Sequence, residues 1–336
     1  MTGDAPCVRS CQTAPMKKRT VSITGATGFV GWHVAEGFMR SGWDVRAIVR
    51  RGNRKPVPSG VTVVESDLST ASLREACTGC DVLVHSAALI RAKNEAAFNA
   101  VNVDGARAAA AAAVATGARL VLISSQAAGG QGTPDAPRRE SDPPAPVNAY
   151  GRSKLASEAV VRTTRELAWT ILRPCAVYGP RDHGFLPLHR MARKGLFLVP
   201  SGADTFFTLI FIDDLVRAVL LAAERDTAVG ETLFIGHPEP RTGGDLLRAI
   251  AAFEQRPYRP FYVPAPLFTL LAKVGDLSWK LGVKPIVDSG RLVELRAEGF
   301  VCAVDRAREV LGFIAETPLD AGVATTAAWY RAHRWT

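Results

Sequence analysis

A regular alternation between residues 20 and 173 decides the fold class of this chain. Short apolar runs rich in valine and isoleucine alternate there with longer segments that have helical hydrophobic spacing. Such a rhythm is typical of repeated strand–helix–strand units, in which helices cover both faces of a parallel sheet. We therefore predict an α/β fold with a doubly wound parallel sheet. The six predicted strands are Thr20 to Thr24, Asp44 to Val49, Val61 to Glu65, Val82 to Ser86, Leu120 to Ser124 and Trp169 to Arg173.

The remainder of the chain divides around this alternating region. Residues 1–16 are polar, with proline and glycine, and predict a disordered extension; Met16 is a possible alternative start. Residues 17–180 form the predicted nucleotide-binding core. After Arg173 the rhythm loosens and prolines become frequent, so residues 181–336 predict a smaller, mixed substrate-binding lobe with some segments returning to the core.

Three further segments have a predicted structure. The segment Glu95 to Thr116, which contains the alanine-rich stretch Ala106 to Ala115, predicts a helix that covers the sheet. Residues 126–148 and Pro257 to Pro266 are rich in proline and predict irregular connectors, the first beside the carboxyl edge of the sheet. The second leads into an apolar helix, Leu267 to Leu281, with few cations on its polar face. We interpret that helix as core packing or a substrate lid rather than as an interfacial membrane contact.

Composition excludes several classes of protein. With 47% hydrophobic residues, the chain of 336 can bury a large core. The net charge of +9 comes from scattered basic residues, which predicts attraction of an anionic cofactor rather than nucleic acid. Six cysteines without regular spacing predict reduced thiols and a cytoplasmic location, and the pair Cys77 and Cys80 lacks the partners of a metal site. The sequence has no apolar run long enough to span a membrane.

A glycine motif follows the first predicted strand directly and opens a helical pattern, in the segment TGATGFVG. Gly25 permits a tight turn, Gly28 lets backbone amides approach a pyrophosphate, and Gly31 allows the helix to pack on its strand. The helix amino end adds a favourable dipole. The motif predicts a Rossmann-type dinucleotide site, with the loop residues Thr27, Phe29 and Val30 also at the cofactor.

The end of the second predicted strand bears on which dinucleotide binds. An NAD site usually carries an acidic residue there, but Asp44 lies at the opposite end of the strand. Arginines 46, 50 and 51 cluster instead, and guanidinium groups suit a 2′-phosphate. We therefore predict NADP(H) as cofactor, with NAD as the alternative. Asp67, followed by Leu68 after the third strand, is a candidate for the adenine amino group or a helix cap.

A candidate catalytic set combines three side chains. Tyr150 and Lys154 are four residues apart at the start of a helical pattern, so both project from one face. A free tyrosine has a pKa near 10, and a neighbouring ammonium stabilises the phenolate that proton transfer requires. Ser124 and Ser125 end the fifth predicted strand, at the edge where α/β sheets bind ligands. A serine hydroxyl there predicts a hydrogen bond to a substrate oxygen.

Taken together, these segments resemble the extended short-chain dehydrogenase/reductase family. The matching segments are TGATGFVG, DL at 67–68, HSAA at 85–88, NVDG at 102–105, ISS at 123–125, YGRSK at 150–154, RPCAVYGP at 173–180, FIDDL at 211–215 and DRAREVLGF at 305–313. The resemblance implies that Tyr150 is the acid/base, that Lys154 lowers its pKa, and that Ser125 orients the substrate. It also implies a homodimer.

The same resemblance places the nicotinamide. It implies that the ring lies near Ala87 and Ala88 and that Pro174 and Val177 line its side of the site. Asn102 would support the region of Lys154. His85 would be a buried strand-end residue rather than a catalyst.

Two features indicate the branch of the family. Gln126 stands where sugar-nucleotide epimerases carry a further hydroxyl residue, and the segment from Phe206 to Thr208 stands where they commonly carry a basic residue for a diphosphate. We therefore expect hydride transfer to or from a secondary alcohol or ketone of an apolar substrate, as in the 3β-hydroxysteroid dehydrogenase-like branch. The alternatives are a nucleotide-sugar epimerase or dehydratase with bound NAD, and a dinucleotide sensor without catalysis.

Overall fold

The computed structural model describes residues 18–200, 205–280 and 299–336. Its strands, in chain order, are β1 Thr20–Thr24, β2 Asp44–Arg50, β3 Thr62–Ser66, β4 Val82–His85, β5 Arg119–Ile123, β6 Trp169–Pro174, β7 Ala176–Tyr178, β8 Phe197–Pro200, β9 Phe206–Phe207, β10 Leu209–Phe211, β11 Glu231–Ile235, β12 Arg241–Thr242, β13 Pro260–Val263 and β14 Gly299–Phe300. Its helices are α1 Phe29–Arg40, α2 Thr70–Ala76, α3 Glu95–Phe98, α4 Asp104–Thr116, α5 Ala149–Thr163, α6 Leu186–Arg193, α7 Ile212–Glu224, α8 Gly243–Phe253, α9 Ala265–Lys280, α10 Asp305–Leu311 and α11 Leu319–Ala332.

The centre of the fold is a seven-stranded sheet in the order β11-β6-β5-β4-β1-β2-β3. Every neighbouring pair is parallel, and all five residues of β1 are buried, as expected for a parallel sheet covered on both faces. The α/β prediction and its doubly wound parallel sheet are confirmed, and this sheet is of the Rossmann type. The carboxyl ends of β1, β4, β5 and β6 therefore meet at one edge, where the site lies.

Side chains that alternate along the strands fill two separate cores. Leu120 and Leu122 of β5 pack on one face with the alanines of α4, while Val121 and Ile123 pack on the other face with α1 and α7. The small side chains of α4 let it lie close to both α2 and α5. Strands β2, β4, β5 and β6 each contribute to both cores, which holds their carboxyl ends in place.

Three elements differ from the sequence predictions. A seventh strand, β11, lies within the predicted second lobe and pairs with β6. The predicted helix from Glu95 to Thr116 is interrupted by a π-helical turn over Asn99–Val103. The predicted connector from Pro257 to Pro266 contains β13, which pairs with β8. The predicted extension over 1–16 and the helix end Leu281 lie outside the described residues.

Helix α9 does not match the interpretation of core packing. Leu267, Leu270, Val274 and Leu277 are exposed to solvent, so that interpretation is wrong for these four side chains. Only Ala272, on the opposite side, is a core hydrophobic residue among those described on α9. No helix in the described ranges has the length and apolar content needed to cross a membrane.

The cysteines within the described ranges are Cys77, Cys80, Cys175 and Cys302, all buried free thiols. Cys77 caps the end of α2, and Cys80 lies in the turn that precedes β4. Among the described residues, no group of three histidine, cysteine or acidic side chains is arranged to hold a metal ion.

Candidate active site

The glycine loop between β1 and α1 is closely packed against backbone. Gly25 has a left-handed backbone with a φ of 78°, and a Cβ there would lie 2.7 Å from the Ala87 nitrogen. A Cβ on Gly31 would lie 2.3 Å from the Gly25 carbonyl oxygen. The Gly28 amide donates to that same oxygen at 2.9 Å and closes the turn. Only glycine fits at Gly25 and Gly31, so these two positions fix the path of the loop.

The first turn of α1 is suited to an anion. Gly28 immediately precedes this helix, no side chain caps the first turn, and the turn contains no acidic residue. A helix amino terminus that has neither a capping side chain nor a carboxylate presents its amides and its dipole to a negative group. The loop residues Thr27, Phe29 and Val30 are all partly exposed. These features fit the pyrophosphate of a dinucleotide.

Replacing Gly31 with alanine should weaken dinucleotide binding by about tenfold or more, because the new methyl group would displace the Gly25 carbonyl and open the loop. Fluorescence titration with NADPH measures the change. Gly243→Ala is the matched control, since a Cβ at that position meets nothing closer than 3.8 Å. Equal affinity in both variants would contradict this account of the loop.

A hydrogen-bonded pair joins the exits of β1 and β4. The Thr24 hydroxyl lies 2.9 Å from Nδ1 of His85, and the Ala87 amide donates to the same hydroxyl at 3.3 Å. Burial, with a contribution from the charge of Lys154, lowers the pKa of His85 to about 3. The imidazole is therefore neutral and holds the backbone, which agrees with a buried strand-end role. Ala87 and Ala88 follow at this exit, half-buried.

The basic cluster at the second strand is smaller than the sequence suggests. Arg50 is exposed at the carboxyl end of β2, and Arg51 follows it. Arg46 lies four residues earlier and donates through Nη1 to the Thr78 carbonyl at 2.6 Å. Four strand residues span about 13 Å. Arg46 therefore does not belong to the group near a 2′-phosphate, and the prediction that it does is wrong.

Asp67 and Leu68 form the turn between β3 and α2. Oδ1 of Asp67 accepts a hydrogen bond from the Ser69 amide at 2.8 Å, and Leu68 has a left-handed backbone with a φ of 66°. Hydrogen bonds from Ser69 lower the pKa of Asp67, so its exposed side chain is a carboxylate. The cap of α2 is Ser69, whose hydroxyl accepts from the Ser72 amide. Asp67 thus shapes the turn and remains accessible.

Helix α5 begins against the turn that follows β5. Asn148 caps the helix by accepting a hydrogen bond from the Gly151 amide at 2.8 Å. A Cβ on Gly151 would lie 2.3 Å from the Ala127 carbonyl oxygen, so this glycine allows close contact. The contact brings the first turn of α5, with Tyr150, to the segment that begins at Ser125. The ring of Tyr150 is half-buried and lies 6.1 Å from that of Phe98.

Lys154 is fully buried one turn after Tyr150. Its ammonium donates to the Ile123 carbonyl at 2.7 Å, at the end of β5. Burial lowers the pKa of Lys154 to about 8, and the charge of Glu158 opposes part of that shift. The side chain thus carries a positive charge at neutral pH, at the strand end that leads directly to Ser124 and Ser125.

The two serines at this strand end differ in their surroundings. Ser124 is buried and donates to Oε1 of Glu158 at 2.6 Å. Ser125 is half-buried, and its hydroxyl oxygen accepts a long hydrogen bond of 3.2 Å from the Ala127 amide. Ser125 has an extended backbone just after β5, and consecutive residues of an extended chain point in opposite directions, so Ser125 faces away from the Glu158 side. Of the two serines, Ser125 has the hydroxyl that a ligand can reach.

Asn102 connects the exit of β4 to α5 from its place in the π-helical turn. Its side-chain oxygen accepts from the Leu89 amide at 2.7 Å, and its nitrogen donates to the Leu89 carbonyl at 3.0 Å. The same nitrogen donates to the Ser153 hydroxyl at 2.9 Å, and Ser153 in turn donates to the Tyr150 carbonyl at 2.7 Å. Asn102 therefore ties the segment after Ala88 to the helix that carries Tyr150.

A buried ion pair behind the site was not singled out by sequence reasoning. Glu158 accepts from Nε of Arg173 at 2.9 Å and from Nη2 at 2.7 Å, and both side chains are buried. Arg162 donates to the same carboxylate at 2.9 Å. The spacing of four residues between Lys154 and Glu158 was the available signal, because it places the carboxylate on the lysine face of α5. The pair joins α5 to β6.

The remaining predicted residues lie on two neighbouring segments. Pro174 ends β6 and is buried, whereas Val177 of β7 is half-buried opposite Ile210 of β10. Phe206 and Phe207 form β9, between β12 and β14, and both rings are half-buried. Pro174 and Val177 thus lie at and just beyond the carboxyl end of β6. Ser125 lies just beyond the carboxyl end of the neighbouring parallel strand β5.

The sequence is similar to known proteins along most of its length. Residues 21–236 match the model of the NAD dependent epimerase/dehydratase family. The chain is 33% identical over 320 residues to the ceramide reductase of Caulobacter vibrioides, across 94% of this chain and 95% of that protein. It is 25% identical over 344 residues to the decarboxylating sterol-4-alpha-carboxylate 3-dehydrogenase of Candida albicans, across 93% and 97%.

A solved structure of a similar protein has the same fold as this chain. MoeE5 in complex with UDP-glucuronic acid and NAD superposes with a TM-score of 0.73 at 25% identity, and the alignment covers 94% of this chain and 99% of MoeE5. The family model spans more than half of the chain, from the glycine loop through the Tyr150 and Lys154 region to the end of β11. This chain therefore belongs to the NAD-dependent epimerase/dehydratase family, within the extended short-chain dehydrogenase/reductases, and is an NAD(P)-dependent oxidoreductase.

Proposed function

We propose that this enzyme reduces a ketone, or oxidises the corresponding secondary alcohol, on an apolar substrate, with NADP(H) as its dinucleotide. The observation that carries the proposal is the buried ammonium of Lys154 at the end of β5, one helical turn from Tyr150 and next to Ser125. A buried lysine that keeps its charge near neutral pH is suited to stabilising a neighbouring phenolate. The nicotinamide supplies or accepts the hydride when it is bound.

Each of the three side chains has a separate task in this proposal. In the reductive direction Tyr150 gives its hydroxyl proton to the substrate oxygen, and the charge of Lys154 stabilises the phenolate that results. Ser125 donates a hydrogen bond to the same oxygen and orients it. The proton of Tyr150 is then replaced from water. One ketone, one proton and the hydride that the reduced nicotinamide would supply yield one alcohol and the oxidised dinucleotide.

In this proposal the dinucleotide lies in one cleft. The cleft is formed by the glycine loop, the carboxyl end of β5 and the residues that line the nicotinamide. The glycine loop with Asp67 and Leu68 would hold the adenosine half. The exits of β4 and β6, with Ala87, Ala88, Pro174 and Val177, would hold the nicotinamide half. Asn102 would position Lys154 through Ser153 and α5.

An apolar substrate is supported by the residues on the second lobe. Phe206 and Phe207 present half-buried rings where a basic residue would be needed to bind a diphosphate. Two similar proteins, a ceramide reductase and a sterol-4-alpha-carboxylate 3-dehydrogenase, have names that specify apolar substrates. We propose a lipid or sterol-like secondary alcohol or ketone, as in the 3β-hydroxysteroid dehydrogenase-like branch.

The similarity to MoeE5, whose structure holds UDP-glucuronic acid and NAD, favours a second candidate, a nucleotide-sugar enzyme. The purified full chain is incubated with NADPH and a long-chain or sterol ketone, and separately with UDP-sugars. We expect net loss of nicotinamide absorbance with the ketone. Interconversion of UDP-sugars without a net change in absorbance would replace our proposal with the second candidate.

The choice of NADP(H) gives a direct prediction for Arg50. Replacing Arg50 with alanine should weaken NADPH binding by about tenfold and leave NADH binding nearly unchanged, because only NADPH has a 2′-phosphate for the guanidinium. Titration of both dinucleotides measures the difference. Arg46→Gln is the matched control on the same strand and should affect both dinucleotides equally. Equal losses in Arg50→Ala would contradict the assignment.

The reaction should lose rate in alkaline solution because of Lys154. Its pKa is lowered to about 8, so the ammonium loses its proton well before an exposed lysine would. We expect the rate of ketone reduction to be highest below about pH 8 and to fall as pH rises through that value. A pH profile of kcat tests this. A constant rate up to about pH 10, where an ordinary lysine titrates, would contradict it.

A further inference from the structure

We propose that this chain docks peripherally on an anionic phospholipid bilayer through α9 and β13. The surface concerned, called the apolar face below, consists of Phe261, Tyr262, Leu267, Leu270, Val274 and Leu277. The inference goes beyond the proposed reaction and does not depend on it, since membrane docking is measured without turnover.

The helical part of the apolar face is a continuous stripe. Leu267, Leu270, Val274 and Leu277 are spaced by three, four and three residues, which places them on one side of α9. Leu270 and Val274 are each 58% exposed. The opposite side packs on the protein, because Ala272 is fully buried. Helix α9 is thus apolar both toward the protein and toward solvent, an arrangement that marks an interaction surface.

A second group of exposed apolar residues lies on the strand that leads into the helix. Phe261 and Tyr262 are consecutive residues of β13, 62% and 61% exposed, and α9 begins two residues after this strand ends. Aromatic side chains with one apolar and one polar end are enriched at the boundary between lipid and water. Because consecutive strand residues point in opposite directions, the two rings are exposed on opposite sides of β13, and Tyr262 is the one that combines an apolar ring with a polar end. Strand β13 thus adds exposed aromatic surface immediately before the helix.

Cations lie at the amino end of the strand that contributes to the apolar face. Arg193 and Lys194 precede β8, and Arg256 and Arg259 precede β13. Because these two strands are paired and parallel, both pairs of cations lie at the same end of this small sheet. Lys273 lies at the border of the stripe on α9. All five are exposed, and none has an ion pair with another described residue.

The charges favour an anionic surface as the occupant. Between residues 255 and 280 the sequence contains one acidic residue, Asp276. The sequence alone does not bring Arg193 and Lys194 near Arg256 and Arg259, because only the pairing of β8 with β13 places the two pairs together. Basic side chains around an exposed apolar helix are typical of peripheral binding to anionic lipids. A second copy of this chain would place these cations opposite one another, which repulsion disfavours.

Co-sedimentation of the full chain with phospholipid vesicles tests the proposal. We expect binding to vesicles of phosphatidylcholine with phosphatidylglycerol, and weaker binding at high salt or to phosphatidylcholine alone. The double variant Leu270→Glu/Val274→Glu should no longer sediment with vesicles. Arg256→Gln/Arg259→Gln should bind about tenfold or more weakly. Val63→Glu, on edge strand β3 where Val63 is 52% exposed, is the matched control and should bind like the parent.

Circular dichroism and thermal unfolding establish that each variant is folded, so that loss of binding reports on the surface. Absence of binding by the parent chain would overturn the proposal. So would binding that survives in Leu270→Glu/Val274→Glu, or an equal loss in Val63→Glu. Self-association of the parent that this double variant abolishes, without vesicle binding, would assign the apolar face to a second copy instead.

Discussion

Tyr150→Phe should lower kcat by about 10² to 10⁴, the usual contribution of a general acid, while dinucleotide affinity stays nearly constant. The substitution removes one hydroxyl and keeps the ring that packs 6.1 Å from Phe98. Ser153 bonds the backbone carbonyl of residue 150, and Lys154 bonds that of Ile123, so neither depends on the lost hydroxyl. Steady-state rates with NADPH and an apolar ketone, together with NADPH titration, separate the two effects.

The control for this variant is Tyr262→Phe, which removes the hydroxyl of an exposed tyrosine on β13, in the separate two-stranded sheet with β8. With a water-soluble ketone its kcat should equal that of the parent. Turnover that persists in Tyr150→Phe would show that another group donates the proton. A parallel loss of NADPH affinity would show that the tyrosine positions the dinucleotide rather than the proton.

Glu158→Gln should lower the free energy of unfolding by about 3–5 kcal/mol, because it leaves the buried guanidinium of Arg173 without its counter-charge. The carboxylate accepts two hydrogen bonds from Arg173 and one each from Arg162 and Ser124. An amide can accept through only one of its atoms. The pair joins α5 to β6, so we expect the whole fold to be destabilised rather than one loop. Urea denaturation measures the change.

Two matched variants show whether the lower stability of Glu158→Gln comes from the unpaired charge of Arg173. Glu158→Gln/Arg173→Met removes both charges and should be markedly more stable than Glu158→Gln alone. Asp104→Asn breaks an exposed ion pair with Arg107 on α4 and should leave the unfolding midpoint unchanged. If Glu158→Gln unfolds like the parent, the buried pair contributes no net stability.

The central fold could be predicted because its signals are local. The Val-rich and Ile-rich strands, the glycine loop and the spacing of Tyr150 and Lys154 each require only neighbouring residues. Six predicted strands agree with the observed ones to within one residue at each end. Strand β11 was missed because it follows the break in rhythm after Arg173, and its place is set by pairing with β6 rather than by its own sequence.

Details of the site depended on contacts between distant residues. Residue type alone does not distinguish Ser124 from Ser125, and only the family resemblance singled out Ser125; in the structure the Ser124 hydroxyl donates to buried Glu158. Residue type also does not distinguish Arg46 from Arg50, although Arg46 is held by the Thr78 carbonyl. The π-helical turn at Asn102 leaves the apolar pattern of Glu95 to Thr116 nearly unchanged, so periodicity gives no sign of it.

The position of β11 has a consequence for engineering this enzyme. A truncated chain that stops at residue 180 would leave β6 as an unprotected sheet margin, open to pairing with other molecules. A chimaera that exchanges the second half between relatives must therefore bring a strand that matches β6 in register, from Glu231 opposite Thr170 to Ile235 opposite Pro174. The second half of the chain therefore cannot be exchanged as a unit independent of the central sheet.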